Sequence, residues 1–160
     1  MVQMMIGRLR TSAFAVLAFL PLTSGAQVPD LRWEYSVTSS AAGEAEIIFT
    51  AAIPDGWILY SSDFKAELGP RAARFKFEPN DAVQVVGEIE AVKSSRRTDK
   101  NFGIEYAYFT KRAEFRQRVR IASGAASVSG QINGQTCQEV DGLCTLFKQP
   151  FQIQMAQARQ

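Results

Sequence analysis

From Trp33 onward the chain alternates apolar and polar residues over short stretches separated by turn-forming residues. Trp33, Tyr35 and Val37 are interleaved with polar neighbours, the period of two that marks a half-buried strand. Residues 47–52 form a β-branched and aromatic run, and Pro54-Asp55-Gly56 signals a turn before Trp57-Ile58-Leu59-Tyr60. Further strands are predicted at residues 74–77, 83–89 and 115–121. In the last of these Phe115, Gln117, Val119 and Ile121 face one way, and Glu114, Arg116, Arg118 and Arg120 face the other. Val128, Gly130 and Ile132 predict another strand, and residues 151–155 a final one beginning after Pro150. Beyond residue 26 no apolar period of 3.6 residues runs far enough to predict a helix.

Many short strands with Gly, Pro and Asn turns between them predict an all-β chain, an immunoglobulin-like two-sheet β-sandwich. The polar stretch 93–101 reads as a loop ending at Phe102-Gly103. Phe102 either tucks into the core as the next strand begins or covers something at the end of the sandwich. Composition leaves both open. The arginines at 116, 118 and 120 read as an ordinary solvated face, with an acidic docking partner as the functional reading.

The first residues have a different character. Arg8 and Arg10 precede an apolar run at 13–20, then Pro21, Leu22 and the small residues Thr23-Ser24-Gly25-Ala26, with no acidic residue among them. This predicts a secretory signal peptide, residues 1–26, cleaved before Gln27. The apolar run is well short of the roughly 20 residues that span a bilayer. The expectation is a single domain at 27–160, exported, without membrane insertion after cleavage. The chain carries 18 basic and 16 acidic residues, and two of the basic ones lie in the signal. The mature domain is therefore balanced, and nothing in its charge suggests a nucleic-acid partner.

Composition also narrows the chemistry. There is no histidine in the 160 residues, which removes Ser-His-Asp and Cys-His nucleophilic sites and nearly every catalytic zinc site. Two cysteines alone cannot close a tetrahedral thiolate site, and no phosphate-binding glycine loop is present. No metal or cofactor is expected. Glu44 and Glu46, like Glu88 and Glu90, sit at alternate positions and read as solvated outer faces.

What remains is Cys137 and Cys144 in the stretch TCQEVDGLC. In an exported chain an even number implies pairing, and two cysteines allow one connectivity. On the chain-entropy model so short a loop contributes roughly 2.5 kcal/mol, less than a bridge between distant strands would. With Asp141-Gly142 between them, the cysteines can sit on a surface hairpin where an incoming thiolate reaches a sulfur. Glu139 and Asp141 would oppose thiolate formation there. Spacing alone leaves a structural staple and a redox pair equally open.

Pro54-Asp55-Gly56-Trp57-Ile58-Leu59-Tyr60, the loop end Asn101-Phe102-Gly103, and the order strand, Gly130, cysteine pair, proline, final strand together resemble the N-terminal periplasmic domain of the thiol:disulfide interchange protein DsbD. The likeness extends from Trp33 to Met155. It implies an immunoglobulin-like sandwich whose cysteines cycle between dithiol and disulfide. Cys144 would then be the attacking thiol, Cys137 the resolving one, and Phe102 an aromatic cap over the pair. Thioredoxin-like or membrane thiol-transfer proteins would be the partners in trans. The flanks differ from the best-known members: Gln135-Thr136 precede the first cysteine, Thr145-Leu146 follow the second, and Lys100 and Asn101 stand before the cap aromatic. Lys100 would favour thiolate, against Glu139 and Asp141. Little chain follows the final strand, so the electron source is expected to be a separate protein. The competing expectation is a secreted binding module whose Cys137–Cys144 bridge is only structural; a disulfide donor working in the reverse direction would use the same residues.

Overall fold

A computed structural model describes residues 29–39, 43–66, 68–99, 103–122 and 126–155. The predicted signal peptide therefore lies outside the described residues, as do Lys100, Asn101 and Phe102. Ten strands follow in chain order: β1 (Arg32–Ser39), β2 (Glu44–Ala52), β3 (Trp57–Tyr60), β4 (Arg74–Phe77), β5 (Val83–Ala91), β6 (Ser95–Asp99), β7 (Ile104–Thr110), β8 (Arg112–Ile121), β9 (Ala126–Gln138) and β10 (Cys144–Met155). Among the described residues there is no helix, hence none long and apolar enough to cross a membrane.

The strands form two antiparallel sheets. One has the order β1-β2-β8-β5 and the other β10-β9-β3-β7-β6, with β4 also paired to β9. Their inner faces meet in one core. The smaller sheet supplies Ile47, Phe49, Phe115 and Val119, the larger one Leu59, Phe109, Ile132 and Phe151. Phe49 meets Phe75 and Phe151 edge to face at centroid distances of 5.1 Å, and Phe115 lies 4.9 Å from Phe75. Such ring pairs each add about 0.5–1.5 kcal/mol beyond the area they bury. The alternation read in β8 holds: Phe115, Gln117 and Val119 are buried. Gln117 is accommodated because its amide nitrogen donates to the carbonyls of Val86 and Arg118, both at 3.0 Å. On the outer face Arg116 pairs with Glu114 at 2.7 Å and Glu46 at 3.6 Å, and Arg120 with Glu44 at 3.4 Å. That face is a mixed-charge surface rather than a basic one.

Two expectations need correction. The polar stretch read as a loop contains a strand, β6, which pairs with β7 from Ser95↔Tyr108 to Asp99↔Ile104. β6 is the edge of its sheet, and its Arg96 reaches Asp63 at 3.0 Å and Glu105 at 2.9 Å. Cross-strand pairing thus overrides a composition that suits solvent, and charge suits an exposed edge. Secondly, Pro150 lies inside β10 instead of preceding it. β10 is an edge strand, where a residue without an N–H is tolerated.

Inward and outward positions alternate strictly along β9 and β10. On β9 Val128, Ile132 and Thr136 point into the sandwich, and on β10 Phe147, Phe151 and Ile153 do. Gly130 and Gly134 occupy the inward positions opposite Phe151 and Phe147. A Cβ at Gly130 would run into the carbonyl oxygen of Lys76 and the Phe151 ring, and one at Gly134 would lie 2.7 Å from the Phe147 ring. Each aromatic therefore lies across the glycine it faces, which pins the register. Gly130→Ala should lower stability by about 1–3 kcal/mol through overpacking, measured as a lower denaturant midpoint with the disulfide intact; an unchanged midpoint would mean that the ring is not seated on Gly130.

Candidate functional site

β9 and β10 form a hairpin, and its turn carries Glu139, Val140, Asp141, Gly142 and Leu143. Gly142 adopts φ 70°, a conformation that glycine enters without steric cost. The Asp141 carboxylate accepts the Leu143 N–H at 3.1 Å, and the Gly142 N–H donates to the Gln138 carbonyl at 3.1 Å. The Gln138 N–H then donates to the Leu143 carbonyl at 2.8 Å. The next cross-strand pair is Cys137 and Cys144. In the ladder pattern that pair is not joined by main-chain hydrogen bonds, and there Cα atoms approach most closely. The cysteines are disulfide-bonded with Cα atoms 4.0 Å apart. The bridge therefore connects strands already held in register over their whole length.

Both cysteines occupy outward positions, so they lie on the face of the larger sheet away from the main core. Their exposures differ sharply. Cys137 is 4% exposed, whereas Cys144 is solvent-exposed. Cys137 belongs to a second apolar cluster with Ile58, Tyr60, Phe64, Tyr106 and Ala107. The chain between β3 and β4 covers this cluster. It leaves the sheet at Ser61, whose N–H donates to the Ala107 carbonyl at 2.9 Å, and returns at Ala73, whose N–H donates to the Ser61 carbonyl at 3.0 Å. Closed at its ends in this way, the loop lays Phe64, Ala66 and Ala72 on the buried sulfur's surroundings.

Polar contacts hold this cover. Asp63 accepts from Ser94 at 2.9 Å and from Arg96 at 3.0 Å. Burial alone would raise its carboxyl, but the nearby Ser61 hydroxyl, the hydrogen bond from Ser94 and the Arg96 charge outweigh burial and hold it below the usual carboxylate range. Arg97, on the same strand, reaches Glu139 in the cysteine turn at 3.5 Å and the Tyr108 hydroxyl at 3.1 Å, with its guanidinium carbon 4.9 Å from the Tyr108 ring centre. The β6–β7 hairpin, which leads to residues 100–102, is thus tied to the cysteine turn. Glu139 is ion-paired and Asp141 is part of the turn, while Lys100 and Phe102 lie outside the described residues. Val140, Leu143 and Leu146 are exposed on the hairpin beside Cys144, at 91%, 50% and 56%.

Two sulfur contacts distinguish the cysteines further. The Gln135 side-chain nitrogen lies 3.6 Å from Cys137 Sγ, and Cys144 Sγ lies 3.3 Å from the Gly142 carbonyl oxygen. Sequence reading identified the cysteines and missed Tyr60, Phe64, Tyr106, Tyr108, Arg97 and Gln135. The one available signal was Tyr106 and Tyr108 at alternate positions, which puts both on a single strand face.

An immunoglobulin-like sandwich carrying a disulfide on its outer sheet face, one sulfur buried and the other open to solvent, defines a class of disulfide-bearing β domain in which the bond can be reached from one side. The family model described as "Thiol:disulfide interchange protein DsbD, N-terminal" matches residues 27–155, and the chain belongs to that family. Among solved structures, the N-terminal periplasmic domain of ScsB from Proteus mirabilis is 16% identical, with a TM-score of 0.55 over 84% of this chain and 49% of that one. This likeness supports the fold, and the chain spans about half of that structure's length. The Neisseria meningitidis DsbD N-terminal domain in its reduced form is 21% identical, with a TM-score of 0.47 over 74% of this chain and 82% of that one. A complex of the DsbD and PilB N-terminal domains from the same organism is 19% identical, with a TM-score of 0.45 over 83% and 85%. Comparison with curated proteins gives no match.

The difference in exposure predicts a difference in reactivity. After reduction, iodoacetamide should modify Cys144 on the order of ten times faster than Cys137, as read by peptide mapping at short times. Equal labelling would contradict the asymmetry.

Proposed function

We propose that the mature domain, residues 27–160 after loss of the signal peptide at 1–26, exchanges its Cys137–Cys144 disulfide with partner proteins in the periplasm. The observation that carries this reading is the asymmetry of the pair: a disulfide offered to solvent through Cys144 with Cys137 buried behind it. A bridge serving only stability would gain little here, because the strands it joins are already hydrogen-bonded neighbours. Family membership supports the same reading.

The steps balance as two successive exchanges. A partner thiolate attacks Cys144 Sγ, the Cys137–Cys144 bond breaks, and Cys137 leaves as a thiolate that takes up a proton. The partner's second thiolate then attacks its own sulfur in the mixed disulfide and releases reduced Cys144, so two electrons have entered the domain. In the outward direction the Cys144 thiolate attacks an acceptor's disulfide, and the Cys137 thiolate resolves the mixed disulfide by attacking Cys144. Thioredoxin-like or membrane thiol-transfer proteins in trans are the proposed partners. Glu139 and Asp141 bear on the thiols from the turn, the former with its charge partly offset by Arg97. Lys100 is proposed to act in the opposite sense.

Phe102 is proposed as the cap over the pair, at the junction of β6 and β7. Two variants test these roles. Cys137→Ser should accumulate a mixed disulfide through Cys144 when mixed with an oxidised thioredoxin-like partner, seen as a reducible band on gels; trapping confined to Cys144→Ser would reverse the assignment. Phe102→Ala should speed alkylation of the reduced pair several-fold, and an unchanged rate would remove Phe102 from the site.

A further inference from the structure

We infer that Gln135 is a built-in hydrogen-bond donor to the buried sulfur, stabilising the Cys137 thiolate whenever the disulfide opens or closes. The inference rests on the exchange reading and adds to it a residue that controls the leaving sulfur.

Gln135 stands two residues before Cys137 and so shares its outward face of β9. Its Oε1 accepts the main-chain N–H of Arg71 at 2.9 Å, and its Nε2 lies 3.6 Å from Cys137 Sγ. The main-chain contact fixes the orientation of the amide. An N–H of the backbone can only donate, so the oxygen must face Arg71 and the NH2 group must face the sulfur. Arg71 belongs to the closed loop whose ends meet at Ser61 and Ala73, so the oxygen's partner is itself held in position.

The electrostatic need is specific to this sulfur. With 4% exposure among Ile58, Tyr60, Phe64 and Tyr106, a thiolate at Cys137 has almost no water around it, and burial disfavours charge. A sulfur in a disulfide is a weak acceptor and a thiolate a strong one. The Gln135 contact therefore strengthens as negative charge develops, which is the condition for lowering a barrier. Cys144 has the opposite surroundings, since its sulfur faces an acceptor, the Gly142 carbonyl. In both directions of exchange Cys137 carries the charge, first as leaving group and then as resolving nucleophile, and a better-stabilised leaving thiolate departs faster.

Reduced Cys144→Ser protein isolates the Cys137 thiol, whose ionisation is followed by ultraviolet thiolate absorbance against pH. Gln135→Leu in that background should raise the midpoint by about one pH unit. Gln135→Glu keeps the size of the side chain and the oxygen facing Arg71 but places an acceptor on the sulfur, and should raise the midpoint at least as far. With Cys144 restored, both substitutions should slow opening of the disulfide by reduced glutathione on the order of tenfold at neutral pH. Unchanged midpoints in both variants would overturn the role of Gln135 even if exchange with partners is intact. If instead the midpoints shift while the wild-type domain exchanges with no partner, the donor role stands and the exchange reading fails.

Discussion

Everything at the disulfide depends on the two-sidedness of β9. Within one strand Ile132 and Thr136 enter the main core while Gln135 and Cys137 face the other way. Because side chains alternate with a period of two, a slip of one residue would send Cys137 inward and bring Thr136 out. Two glycine–aromatic pairs, Gly130 with Phe151 and Gly134 with Phe147, resist such a slip. Thr136 adds a hydrogen bond from its hydroxyl to the Ile58 carbonyl at 2.6 Å. The cysteines meet because the strands are in register, and the disulfide is a consequence of that register more than its cause.

The larger sheet therefore has work on both faces. Its inner face packs aromatic and aliphatic side chains against the smaller sheet in the main core. Its outer face carries a smaller apolar cluster under a closed loop, pinned by Asp63 and Arg96. The loop is held both by that ion pair and by Phe64, which packs against Tyr60 and Tyr106. That separation suits the proposed exchange: the surroundings of Cys137 are built apart from the main core. The Arg97–Glu139 pair joins the cysteine turn to the β6–β7 hairpin.

Much of this was legible in the residues. Alternation located β1, β8 and the ends of the cysteine hairpin, because those strands have one buried and one solvated face, and a β-branched and aromatic run located β2. The absence of histidine and the spacing of two cysteines directed attention to a single stretch. β6 was not legible, since Ser95, Arg96, Arg97 and Thr98 are all exposed and the segment becomes a strand only through its pairing with β7. Pro150 misled about the start of β10 because a proline is compatible with an edge strand, and edge position is a property of the whole sheet. The buried surroundings of Cys137 were equally hidden. Phe64 and Arg71 come from an irregular connection, and their proximity to the sulfur depends on the Ser61–Ala73 closure.

The central claim is that the Cys137–Cys144 bond is made and broken in use. The most direct test is its reduction potential, obtained by equilibrating the wild-type domain with glutathione redox buffers and quantifying the dithiol and disulfide forms. The account predicts a value between about −180 and −270 mV, within reach of thioredoxin-like partners. A value below about −300 mV, with no exchange toward a thioredoxin-like protein, would make the bond a structural bridge and contradict the account.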